Sequence, residues 1–146
     1  VVIIGIIGAI AIPRMSRGAA GANDSAVRAN LAVLRSAIDL YSTEHDGQFP
    51  PAADIVNLLT QYSNADGSDT DTTKDVPNGI IFGPYIREIP ALPVGAEKGS
   101  TTIAAAAGAG VGWVYDETNG RIIPNTGTDT DGNGFFVAPS QRAIVK

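Results

Sequence analysis

Apolar positions crowd the start of the chain. Residues 1–12, VVIIGIIGAIAI, hold eight Val or Ile with only Gly and Ala between them, and Pro13 closes the run. Left in water, eight such side chains would cost about 12–24 kcal/mol together, at roughly 1.5–3 kcal/mol each. That exceeds the ~5–15 kcal/mol net stability of a small domain, so something must bury them. Twelve residues of helix reach about 18 Å, short of the ~30 Å core of a bilayer. Three readings compete for the segment. It is a buried core element, or the apolar region of a signal peptide, or the C-terminal half of a longer apolar helix that begins before this chain. Small residues leading into Pro13-Arg14 make a poor cleavage site, and the third reading fits best.

The next stretch, RMSRGAAGANDS, is poor in large apolar side chains. Pro13 removes a backbone donor and clashes with the preceding turn, and Gly18 and Gly21 each add a helix penalty of about 1 kcal/mol. A helix break is therefore expected between Pro13 and Asp24. Helical spacing then resumes at Val27, Leu31, Leu34, Ile38 and Tyr41, one apolar stripe. Asn23, Asp24 or Ser25 can cap its start, and Gly47 with Pro50 should end it. Asn23-Asp24-Ser25 is also formally a glycosylation sequon, although capping is the simpler use.

The pattern divides the chain into an apolar and Gly-rich part (1–24), an amphipathic helix (25–46) and a head (47–146). Helical throughout, residues 1–45 would span about 68 Å, against roughly 35 Å for the diameter of a compact ~100-residue domain. Such a helix needs a partner beyond its own head. Gly5 and Ala9 stand one turn apart, a spacing of small residues that permits close helix approach. Val2, Ile3, Ile6, Ile7 and Ile10, with Gly5, Gly8 and Ala9, are thus candidates for packing against lipid or against other helices.

In the head the signals are shorter. GQFPPAADIVNLLTQY reads as a turn and a short helix with Ile55, Leu58, Leu59 and Tyr62 on one side, and GPYIREIPALPVG as a proline-punctuated extended segment. VGWVYDETNGRIIP is the best hairpin: Val111, Trp113 and Tyr115 alternate, Asn119-Gly120 supplies a tight turn, and Arg121-Ile122-Ile123 returns. TTIAAAAGAG has too few large side chains to assign. The expected class is α+β: a long helix interrupted after Pro13, and a head made of a short helix and a small antiparallel sheet.

Composition narrows the chemistry. A net charge of -5 and a pI of about 4.6 argue against a nucleic-acid surface, which clusters Lys and Arg. With no cysteine there is neither a disulfide framework nor a thiolate metal site. The one histidine, His45, sits at a helix end where a structural role is expected. There is no GxSxG elbow, phosphate loop or HExxH motif, and an enzyme is not expected. In DTDGNG, Asp129, Asp131 and Asn133 alternate ahead of Gly134, the first half of a calcium-loop pattern. Ser140 stands where that loop needs its bidentate Glu, so an irregular calcium loop is one reading and a solvated acidic loop the other. Asp69 and Asp71, in NADGSDTDTTKD with Asp66 and Asp75, are weaker candidates for the same ion.

An aliphatic run with internal Gly and Ala, closed by Ile10-Ala11-Ile12-Pro13, resembles the N-terminal segment of type IV pilins and of the pseudopilins of type II secretion. In that family a leader is cleaved before a methylated Phe, and a Glu follows within the apolar stretch. This chain contains neither that Phe nor that Glu, so those positions carry nothing over. The order of a long helix ending in YSTEHDGQFP, a short helix, GPYI and a sheet around GWVYDETNGRI is similar to the major pseudopilins, many of which bind calcium. The resemblance implies a bacterial structural protein, anchored in the inner membrane as a precursor. Pilus or secretion machinery would then assemble it with many copies of itself into an extracellular filament or a periplasmic pseudopilus. Melting after Pro13 would let the spine adjust. A membrane-anchored monomer whose head binds a ligand is the alternative from another class.

Overall fold

The computed structural model describes residues 2–126, with side chains from Ala22 onward, and its class is α+β. Helix α1 (Val2–Glu44) and α2 (Ile55–Thr60) precede five short strands, β1 (Tyr62–Ser63), β2 (Thr70–Asp71), β3 (Ile103–Ala104), β4 (Trp113–Asp116) and β5 (Arg121–Pro124).

The apolar stripe of α1 lies where its spacing puts it. Val27, Leu31, Leu34, Ile38 and Tyr41 are all buried, and the helix packs against β5 and α2. Its C-terminus closes as HDG leads one to expect. Asp46 and Gly47 take φ of 52° and 80°, and the Gly47 N–H donates to the Ser42 carbonyl at 2.8 Å, so the left-handed turn uses a carbonyl the helix leaves free.

Pro13, Gly18 and Gly21 fall within the bounds of α1, and the part described with side chains, from Ala22 on, is helical to Glu44. Asn23, Asp24 and Ser25 lie inside that part. Asp24 faces Arg28 one turn on, at 3.8 Å, an exposed pair of little energetic weight.

The sheet also departs from the expected antiparallel form. β3, β4 and β5 make one sheet in that order, with β4 and β5 antiparallel but β3 and β4 parallel. The stretch that had no assignable pattern supplies β3. Thr102 O accepts from both Gly112 and Trp113 N–H at 3.0 Å, which draws the Ala/Gly loop back so that Ile103 lies beside Trp113 in the core. Side chains as small as Ala leave the strand without an alternation to read. β1 and β2 form a separate antiparallel pair.

The hairpin of β4 and β5 forms with Asp116 opposite Arg121, so its loop has four residues, 117–120, in place of the expected two. Asp116 holds that loop, accepting from Thr118 N–H at 3.0 Å and from the Asn119 side chain at 2.8 Å. Gly120 has φ of 68° and no room for a Cβ, which would run into the Phe49 ring.

Trp113, Tyr115, Leu34, Ile38, Ile55, Leu58, Leu59, Leu92 and Ile122 are the largest apolar side chains enclosed in the core. Even the polar tips are tied. Trp113 Nε1 donates to Pro90 O at 2.8 Å and the Tyr115 hydroxyl to Pro50 O at 3.0 Å. Among the described residues no helix is long and apolar enough to cross a membrane.

Candidate functional site

α1 has a second apolar face. Val33 and Leu40 are half exposed, at 49% and 51%. They stand one heptad apart, with Ser36 exposed between them and Ala29 exposed one turn before Val33. This stripe lies on the side of α1 away from Leu31, Leu34 and Ile38, so the head does not cover it. Val2, Ile3, Gly5, Ile6, Ile7, Gly8, Ala9 and Ile10 lie further up α1, and their side chains fall outside the described part.

The other site is built where α1 ends. His45 follows the helix and is 3% exposed. Its Nδ1 lies 2.9 Å from Ala65 O. A carbonyl only accepts, so Nδ1 carries the hydrogen. Nε2 lies 3.3 Å from the Ser63 hydroxyl and 3.2 Å from that of Tyr85. The Tyr85 hydroxyl donates to Glu44 Oε2 at 2.7 Å. Burial foremost, then the bond to Glu44, raises the Tyr85 phenol far above its ordinary pKa. His45 also stacks on Tyr41, with ring centroids 3.9 Å apart. The structural role expected of His45 is thus what its contacts describe, as it ties α1 to β1 and to the 64–69 loop.

Beside this cluster opens a cleft of about 340 Å³, lined by Tyr41, His45, Asp46, Gln48, Phe49 and Asp66 among others. Gly67, at φ of 71°, brings the loop so close that any Cβ there would strike the Tyr41 hydroxyl. Burial foremost, and the Asp66 charge next, raise the Tyr41 pKa, so the phenol stays protonated at neutral pH.

The acidic residues are spread out. Asp66 Oδ1 accepts from the Ser68 N–H and hydroxyl at 3.1 and 2.8 Å, and these bonds lower its pKa. Asp71 Oδ1 does the same with Thr73, both bonds 2.8 Å, and its pKa falls for that reason. Asp75 holds Asn78 through both oxygens. Each carboxylate closes its own turn. Asp69 is exposed on the same loop. The two weaker calcium candidates, Asp69 and Asp71, are not joined by a third ligand: among the described residues no group of three or more His, Cys, Asp or Glu is placed to hold a metal ion. Asp129, Asp131 and Asn133 lie outside the described residues.

Sequence reasoning missed the cleft. It took Tyr41 as one more member of the apolar stripe and Asp66 as a loop acid. The available signal was a tyrosine one turn before a histidine, followed at once by Asp46-Gly47. No protein-family model, curated protein or solved structure matches this chain.

Proposed function

We propose that the chain is the structural subunit of a type IV pilus-like helical filament, in which α1 is a spine and many copies pack their N-terminal helices into the core. One observation carries this reading: α1 is apolar on two faces, and the head covers only one. The inner stripe from Val27 to Tyr41 is buried, while Val33 and Leu40 on the outer side remain half exposed. In this reading the apolar run that ends at Ile12 takes lipid before assembly and sister helices afterwards. Transfer from lipid to helix contacts favours small residues that let backbones approach, which Gly5, Gly8 and Ala9 provide.

Shearing the expressing cells and sedimenting the released material tests the proposal. A filament subunit pellets as long fibres visible by electron microscopy. A major pseudopilin shows no surface fibres at native expression. A chain that stays with the membrane until detergent is added is an anchored monomer, and that result overturns the proposal.

A further inference from the structure

The cleft at the end of α1 contains an unusual group. Tyr41 is 2% exposed, yet among the described residues its hydroxyl makes no hydrogen bond. No side-chain nitrogen or oxygen there is fully enclosed without a partner. The hydroxyl therefore keeps some access to solvent, and Tyr41 lines the cleft. A tyrosine so nearly enclosed usually finds a partner for its hydroxyl within the chain. Tyr115, 1% exposed, shows the usual arrangement by donating to Pro50 O.

What lines the cleft specifies the partner. Two carboxylates, Asp46 and Asp66, line the cleft, and no Lys or Arg does. Phe49 and Tyr41 contribute aromatic rings, and Gln48 an amide. The volume of about 340 Å³ falls at the small end of ligand sites. Carboxylates attract a cation, aromatic faces favour an organic one over a bare ion, and a phenol oxygen can accept from an N–H.

We infer that this cleft binds an organic monocation, an alkylammonium or guanidinium head on a short apolar stem, with Asp46 and Asp66 countering the charge and the Tyr41 hydroxyl accepting one N–H. The stem lies against Phe49. Such a head is carried by a free amine or by a Lys or Arg side chain of a second copy. The inference stands apart from the filament proposal, since it uses none of the outer face of α1.

The test uses the full chain in non-ionic detergent, isotope-labelled for amide NMR and titrated with n-butylammonium chloride. The amides of residues 41–51 and 64–68 should shift saturably. They should not respond to n-butanol or to matched sodium chloride. Asp46→Asn keeps a residue that tolerates the left-handed backbone and should bind about tenfold more weakly, the loss of one charged partner. Tyr41→Phe should weaken binding about threefold with an unchanged unfolding midpoint. Scattered shifts, equal shifts with butanol or calcium chloride, or full affinity in Asp46→Asn overturn the inference. Sedimentation with and without butylammonium identifies the source. Oligomers that the amine disperses carry the head on a second copy, and an unchanged distribution marks a free amine.

Discussion

Tyr115 and Tyr41 are buried almost equally, yet the regions around them are built differently. On the sheet side, Trp113 and Tyr115 are enclosed by apolar neighbours and each polar tip has one backbone acceptor. At the end of α1, the Tyr41, His45 and Tyr85 rings stack and cross, and polar atoms share partners or, at the Tyr41 hydroxyl, have none. The first region is complete in itself, and its contacts all serve stability. The second keeps a charged, open side that folding alone does not use. Buried polar groups fix a unique core when satisfied; the Tyr41 hydroxyl, with no partner in the described chain, is where the proposed cation would bind.

Substitutions can sharpen or break this contrast. The largest effect is expected for Trp113→Ala, which empties the centre of the sheet side and should lower unfolding stability by about 3–5 kcal/mol in denaturant titration. Tyr115→Phe comes next. It strands the Pro50 carbonyl in a buried setting and should cost about 1–3 kcal/mol.

Alkaline pH probes both regions. Tyr115 and Tyr85 are held above their ordinary pKa, mainly by burial, so above about pH 10 the native chain binds more protons than the unfolded one and stability falls as pH rises. Thermal unfolding between neutral and strongly alkaline pH should show that fall, and Tyr115→Phe or Tyr85→Phe should each flatten it. The smallest effect belongs to Tyr41→Phe, within about 0.5 kcal/mol, because that hydroxyl has no bond to lose. If Tyr41→Phe destabilises the protein as much as Tyr115→Phe does, the contrast between the two regions is wrong.

The filament proposal adds a test on the opposite face of α1. Leu40→Glu puts a charge on the half-exposed stripe, where the head gives it no reason to unfold. The monomer's midpoint should stay within about 0.5 kcal/mol, while the pelleted fraction drops. Equal pelleting would remove the outer stripe from the assembly surface.

Much of this architecture can be read along the chain. The spacing from Val27 to Tyr41 announces a helix with one buried face, because 3.6 residues per turn leave no other way to shelter those side chains. HDG announces where it stops, and alternation around Trp113 announces the hairpin. The absence of cysteine likewise excludes a disulfide scaffold, and the net charge of -5 argues against a basic nucleic-acid surface. Local signals of this kind depend on neighbours within a few residues.

Other features depend on partners far apart in sequence. Ile103 becomes a strand because Trp113 offers it an edge, and Ala-rich flanks give no warning of it. The cleft needs the end of α1, the Phe49 turn and the loop at Gly67 to converge, and only there do Asp46 and Asp66 line one cleft with Tyr41. Periodicity determined which faces are oily. Tertiary packing decided which polar group would be left facing an opening, because hydrogen-bond satisfaction is settled by contacts across the fold and not by sequence spacing.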